Sequence, residues 1–324
     1  MGFFKTKGFK ARDGALLLGA LVLLLLPATV GHNDYILNVF THALLLATLA
    51  LAWNMLGISG SISLGHAAFF GVGAYGSALL SLKQGLPLWL TIPFGGLLSV
   101  VLGVILNLLC QRLRGAYFAL ATLAFVEIPK VITDNWDGVT HGSLGLIGLP
   151  RFSSLSIGSV PVDIGTSATA SYYLMFIYTA LVLSLVGFVF RSNLGLALQA
   201  IREEEVAAEA AGIPTARFRL ISLLLSGFFT GMGGACYAHL VGYIGPELVY
   251  GIHFSALPMI LSICGGRFTI LGPALAALTI YPVDQFIFHP LFPAGHEFFY
   301  GLVLILTILF LPKGIWGSIR PKTA

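Results

Sequence analysis

Residues 191–219 read RSNLGLALQAIREEEVAAEAAGIPTARFR and lie between two long apolar runs. The chain carries 17 Lys and Arg and 13 Asp and Glu. Eight of those charges fall in this stretch, at Arg191, Arg202, Glu203, Glu204, Glu205, Glu209, Arg217 and Arg219. Ser192 and Asn193 offer side-chain oxygens suited to the free amides of a first helical turn. Leu194, Leu198 and Ile201 follow at helical spacing and give an apolar face. Gly212 and Pro214 stop the helix, because Gly accepts the left-handed backbone of a helix end and Pro cannot continue it. Thr215 is placed to cap the next helix, where Arg217 and Arg219 meet the membrane interface. The expectation is one bounded amphipathic helix over 192–212, outside the membrane, docking a soluble partner. A solvated connector is the plainer alternative, but a connector needs neither caps nor an apolar face.

The rest of the chain sets that stretch in a membrane. Of its 324 residues 57% are hydrophobic and only 9% charged, with a mean hydropathy of +0.93. A soluble domain is about a quarter charged, so this surface is expected to meet the lipid bilayer. A helix needs about 20 apolar residues to span. Candidate spans fall at 14–30, 35–56, 62–81, 87–109, 115–131, 172–190, 218–239, 254–264, 269–288 and 297–311. The fold class expected is therefore all-α, a polytopic transmembrane protein of about ten crossings, one of them a broken Gly-rich segment, in a single domain over 1–324. The first run could imitate a signal peptide, but Pro27-Ala28-Thr29-Val30 is a poor cleavage site, so it is read as an anchor.

Basic residues prefer cytoplasmic loops. With the N-terminus inside, the inner set is Lys5, Lys7, Lys10, Arg12, Arg112, Arg114, Arg191, Arg202, Arg217, Arg219, Arg267, Lys313, Arg320 and Lys322; the outer set is Lys83, Lys130 and Arg151. That bias puts both termini and the 191–217 segment in the cytoplasm, and a polar loop at 133–171 outside. The net charge of +4 is too small to indicate a partner type, and no nucleic-acid partner is expected.

Residues 53–80, WNMLGISGSISLGHAAFFGVGAYGSALL, are rich in Gly and Ser. Small residues let helices approach closely, and irregular backbone survives in a membrane only where it is buried or lines a cavity. Gly71 to Gly76 matches G-x-G-x-x-G, but no strand precedes it, so a dinucleotide site is rejected. A histidine inside a span is costly. His66 either lines a path or bonds a neighbouring helix for packing. Asn54 is read as a helix–helix bond or a path residue, and Phe69 and Tyr75 as packed, lipid-facing or path-lining. Gly227 to Gly231 forms GxxxG, and Gly95, Ser99 and Gly103 repeat every four residues; both are packing faces, within one chain or between two.

Smaller readings complete the pass. Glu127 and Lys130 are spaced for a local ion pair, with Pro129 breaking the helix. Asp284 is placed in the outer interface and explained by solvation. His42, His239, His253 and His289 are treated as interfacial, with no metal spacing. Cys110, Cys236 and Cys264 are too scattered for disulfides or metal. No P-loop, HExxH or GxSxG is present, so no catalytic residue, cofactor or ATP site of the chain's own is expected.

Residues 197–238, ALQAIREEEVAAEAAGIPTARFRLISLLLSGFFTGMGGACYA, resemble the cytoplasmic signature of the permeases of bacterial ABC importers, the LivM-type branched-chain amino acid permeases above all. Ala200-Ile201-Arg202-Glu203 and Ala210-Ala211-Gly212-Ile213 carry the likeness. The general importer pattern is departed from, since Glu209-Ala210-Ala211 is followed at once by Gly212. Residues 63–71, SLGHAAFFG, are similar to a second family motif, and Gly265 to Phe268 and Leu311 to Gly317 resemble inner-face motifs. The resemblance implies a permease in a bacterial inner membrane. It implies ATPase subunits seated on a coupling helix that includes Arg202, Glu203, Glu204, Glu205, Glu209 and Gly212, with 192–212 moving as a rigid lever. It further implies a second, LivH-type permease and an extracytoplasmic binding protein at the outer loop. A translocation path near Asn54, Ser63, Gly65, His66, Phe69 and Tyr75 is implied for branched-chain or related small amino acids. Urea, short amides and aromatic acids are alternative substrates. An ion-driven transporter or channel is the alternative of another class, and would need ionisable pairs at mid-membrane.

Overall fold

The computed structural model describes residues 11–30, 33–151, 155–157, 160–162, 168–293, 295–311 and 313–319. Lys5, Lys7, Lys10, Pro312, Arg320, Lys322 and parts of the 133–171 loop lie outside the described residues. Helices stand at every expected position: α1 (Ala11–Val30), α2 (Asp34–Gly57), α3 (His66–Gln84), α4 (Leu88–Cys110), α5 (Gly115–Asn135), α6 (Ala168–Arg191), α7 (Asn193–Glu203), α8 (Glu205–Ala210), α9 (Thr215–Val241), α10 (His253–Gly265), α11 (Gly272–Val283) and α12 (Glu297–Phe310). The chain is an all-α polytopic membrane protein. Among the described residues seven helices are long and apolar enough to cross: 34–57, 88–110, 115–135, 168–191, 215–241, 246–265 and 297–318. The helix expected over 62–81 begins only at His66. Residues 58–65 are non-helical, with Gly60 at a φ of 82°.

Two helices form the axis. α2 is buried from Ala43 to Gly57, and α9 is buried along most of its C-terminal half. α2 packs on α10 and α11, the pair that follows α9 in the chain; α9 packs on α3 and α4, the pair that follows α2. Each axial helix thus holds the hairpin belonging to the other, which ties the two halves together. The glycine faces are the reason α3, α4 and α9 come so close. A methyl on Gly73 would strike the Gly231 carbonyl, one on Gly95 the Gly73 carbonyl, and one on Gly231 the Ser99 hydroxyl. Both small-residue faces therefore pack against each other within this chain. Apolar side chains on α4, α5, α6 and α12 face outward, Leu108, Tyr117, Phe188 and Phe298 among them, as a lipid-facing surface requires.

Several local expectations are corrected. α5 runs through Pro129 to Asn135, because a proline inside a membrane helix forfeits one amide and neighbouring groups restore the balance. Lys130 pairs with Glu247 at 3.0 Å, not with Glu127; the turn 246–249 reaches across and ties itself to α5. His239 is fully buried rather than interfacial, bonding the Ser77 hydroxyl at 2.9 Å and the Pro150 carbonyl at 2.8 Å. Asp284 is fully buried too, so solvation does not explain it. It opens a π turn, Asp284–Phe288, and accepts from Gln285 (3.2 Å), His296 (3.1 Å) and Tyr300 (3.0 Å). The three cysteines are free and buried.

Candidate coupling surface and buried linker

The 191–219 segment is not one helix. α7 ends at Glu203, Glu204 is extended (φ −158°, ψ 109°), and α8 restarts at Glu205. Three adjacent glutamates at one helix end repel each other and the negative end of the helix dipole, and the extended residue separates them. Ser192 occupies the cap position, but its hydroxyl donates to Val189 O at 2.7 Å and makes no cap bond. Pro214, not Thr215, precedes α9; Thr215 instead donates to Glu209 at 2.6 Å. The stop at Gly212 is as expected. Its φ is 83°, Gly212 N bonds Glu209 O at 2.9 Å, and Ile213 N bonds Ala208 O at 3.0 Å. Those two bonds, with Ile213 packed near Ala208, are the paired closure of a left-handed helix end.

The apolar face of α7 is spent inside the chain. Leu198 and Ile201 are buried with Ile58 and Ala208, and Leu194, Phe190, Ile213 and Phe218 close around them. What remains outward is Leu196 (61% exposed), Glu203, Glu204, Val206 (72% exposed), Ala207 and Glu209. Leu196 and Val206 were not singled out from the sequence. The signal available was Val206, a branched apolar residue set inside a run of charges.

The acidic triplet divides into three tasks. Glu203 pairs with its neighbour Arg202. Glu204 is the break. Glu205 lies between Arg114, at 3.0 Å, and Arg219, at 2.8 Å, joining α8 to the α4–α5 turn and to the start of α9. Arg202 turns inward, its guanidinium 4.2 Å from the centre of the Phe268 ring, with Arg267 at 4.5 Å. Burial and the facing Arg202 hold the Arg267 guanidinium below its ordinary pKa. A cleft of about 340 Å³ opens beneath the break, lined by Ser59, Gly60, Ser61, Arg114, Glu204 and Arg219 among others. A methyl on Gly60 would lie 3.3 Å from Arg202 Cγ, so the end of α7 touches the 58–65 linker directly.

That linker runs outside any helix and is buried at Ile58, Ser59, Ser63 and Gly65; its first amides, at Ile58, Ser59 and Gly60, bond carbonyls at the end of α2, and side chains hold groups from Ser63 to Ala67. Trp53 Nε1 donates to Ser63 O (2.8 Å), Leu64 N to Thr122 Oγ1 (3.0 Å), Gly65 N to Ser63 Oγ (3.2 Å) and Ala67 N to Ser255 Oγ (2.9 Å). His66, fully buried at the head of α3, bonds the Ser226 hydroxyl at 2.8 Å through Nε2 and meets Phe69 edge-on. Its Nδ1 has no partner among the described residues. Asn54 donates to Thr269 O at 2.9 Å and accepts from Ser262 at 3.3 Å, clasping α2 to α10 and the turn after it. Phe69 is fully buried, and Tyr75 stacks on Tyr250 with ring centres 6.2 Å apart. Ser63, Gly65, His66 and Phe69 are thus brought together around the linker, while Asn54 and Tyr75 stand apart on α2 and along α3. None of the six lines the cleft or the two other cavities described in this chain.

Residues 35–308 match the model of a family described as branched-chain amino acid transport system / permease component. The chain is 26% identical to the high-affinity branched-chain amino acid transport system permease protein LivM of Salmonella typhimurium, over 88% of this chain and 71% of that one. It is 27% identical to LivM of Escherichia coli with the same coverage. It is 23% identical to the autoinducer 2 import system permease protein LsrC of Yersinia pseudotuberculosis, over 92% of this chain and 84% of that one. No solved structure matches the chain. With the matched region running from the head of α2 into α12, the chain belongs to the permease-component family of branched-chain amino acid transport systems.

Proposed function

We infer that the chain is the membrane subunit of an ABC importer, forming the path for branched-chain or related small amino acids and driven by separate ATPase subunits through residues 192–212. The observation that carries this is the division of that segment. α7 is welded by its apolar face to Ile58 and Phe218, while α8 turns Val206, Ala207 and Glu209 outward beyond the break at Glu204. Leu196 and Val206, both exposed beside Glu203, Glu204 and Glu209, give that face the mixed apolar and acidic character of a docking surface.

In this reading the bundle crosses a bacterial inner membrane ten times, with both termini cytoplasmic. The asymmetry of the basic residues supports that orientation. A homologous LivH-type permease completes the membrane pair, and an extracytoplasmic binding protein delivers substrate at the opposite face. The path is assigned to the linker and its neighbours, Asn54, Ser63, Gly65, His66, Phe69 and Tyr75, because buried non-helical backbone at membrane depth marks such routes. The amino-acid substrate rests on the LivM relatives; the LsrC likeness is the reason other small solutes stay within reach of the fold. An ion-driven mechanism would look to Asp284, whose Oδ2 is engaged by Gln285, His296 and Tyr300 and whose Oδ1 is buried with no partner among the described residues, but among those residues no second carboxylate stands beside it to form a pair.

The test is co-purification with candidate ATPase subunits. Val206→Asp together with Glu203→Lys leaves Glu205 and its arginines in place and should release the ATPases while the permease still folds. ATPases retained in wild-type amount by that double variant would overturn the docking assignment.

A further inference from the structure

A second cavity, of about 440 Å³, opens at the end of the bundle opposite the 191–219 segment. It lies between the starts of α2, α10 and α12 and the ends of α9 and α11. One wall is aliphatic, with Leu45, Leu46, Leu248 and Ile252. The rim is polar and one-sided. Glu247 and Glu297 line it, and among the described residues that do so there is no lysine or arginine. Glu247, its side chain 84% exposed at the mouth, pairs with Lys130 at 3.0 Å; Glu297 has no ion-pair partner among the described residues. His253 also lines it, and His42 adds a third acceptor. Its Nδ1 lies 2.9 Å from Asn38 O, and a carbonyl only accepts, so Nδ1 carries the hydrogen and a neutral ring presents Nε2 as a lone pair. Tyr237, whose ring meets that of His42 edge-on with centres 6.3 Å apart, and Tyr281 also line the cavity, and neither hydroxyl has a hydrogen-bond partner among the described residues.

We propose that this cavity is an external loading vestibule that takes a small aliphatic α-amino acid by its ammonium group. The ammonium sits among Glu247, Glu297 and His42, where three acceptors meet a cation with three donors. The carboxylate takes the tyrosine hydroxyls, and the side chain lies on the leucine and isoleucine wall. A cavity of this size, mostly apolar with a few convergent polar groups, is the usual form of a small-molecule site. The assignment rests on the permease reading above and names where the solute waits on the outer side.

The test uses the permease with its partner subunits in nanodiscs. Leu248→Cys, or Ile252→Cys should the first fold poorly, places a thiol in the cavity against a background of three buried native cysteines. The rate of modification by an impermeant methanethiosulfonate is measured with leucine, with isopentylamine (no carboxylate) and with isocaproate (no ammonium). Leucine and isopentylamine should slow modification several-fold and isocaproate should not. Glu297→Gln in the same background should raise the protecting leucine concentration roughly tenfold, the effect of losing one charge-assisted hydrogen bond. Equal rates with and without leucine, or protection by isocaproate as strong as by leucine, would overturn the vestibule. ATPase co-purification is scored on the same preparation: bound ATPases without leucine protection sink this inference alone, whereas protection without bound ATPases sustains it and sinks the coupling assignment.

Discussion

Glu205→Gln removes the carboxylate that joins Arg114 and Arg219 and keeps the side chain's shape. At about 3 Å and an effective dielectric near 20, each charge pair is worth roughly 5 kcal/mol before desolvation, and most of that is returned when the charges leave water. Exposure decides the remainder. The Glu205 and Arg219 side chains are 22% and 20% exposed, whereas that of Arg114 is 49% exposed. The more buried Arg219 contact should therefore hold about 1–2 kcal/mol, and the Arg114 contact, half-exposed but bidentate through Nε–Oε2 and Nη2–Oε1, about 1 kcal/mol. A loss of about 2 kcal/mol in total raises the population of detached α8 by up to roughly thirtyfold. Hydrogen exchange of the amides from Ala208 to Ile213 reads that population directly. A double-mutant cycle with Arg114→Ala isolates the weaker pair. In the reconstituted transporter, more ATP should be hydrolysed per solute moved, because the ATPase contact surface proposed on α8 is intact but poorly tied to α9. Exchange rates unchanged in Glu205→Gln would refute the reasoning, and the ion triad would then be a surface arrangement of no weight.

Gly73→Ala should force α3 away from α9, because the new methyl meets the Gly231 carbonyl, a backbone atom with no rotamer to yield. A cost of about 1–3 kcal/mol is expected from overpacking, seen as a lower Tm in detergent, while Gly138→Ala, with nothing within 4 Å of its methyl, should change little. Gly212→Ala meets no atom either, so its expected loss of about 1 kcal/mol comes wholly from the left-handed backbone; faster exchange at Gly212 and Ile213, with an unchanged bundle, is the reading to look for.

What was legible in the sequence was what local physics decides. Long apolar runs gave the helices, small residues every four gave the faces on α4 and α9, and Gly212 gave the helix stop, since only a residue without Cβ suits its φ of 83°. Tasks assigned by distant partners were not legible. Glu205 reads as one of three equal glutamates until Arg114, 91 residues away, is brought beside it. Asp284 reads as interfacial until Tyr300 and His296 close over it. Lys130 has a carboxylate three residues away and chooses another in the turn 246–249. The break at Glu204 is intermediate, because the repulsion was visible in the triplet but its resolution depended on Ile201 being held by Ile58.

In the coupling proposed for this segment, that break changes the route force must take. A rigid lever over 192–212 would carry force along one helix into α6 and α9 together. With Glu204 extended, α7 belongs mechanically to the bundle, because its apolar face is packed on Ile58 at the end of α2. α8 is the part free to follow a partner, held by Glu205 and by the contacts of Ala208 and Ile213. A push on α8 would then reach the bundle by two routes. One passes through Glu205 to Arg219 and Arg114, at the heads of α9 and α5. The other passes across Glu204 to Arg202, which touches Gly60 and the buried linker leading to His66. Coupling needs an element with two discrete arrangements that both ends bias. The linker suits that role better than any helix here, because beyond Gly60 its bonds run to side chains on α2 and α5, which can be exchanged one at a time, rather than to a helical ladder that must break as a whole.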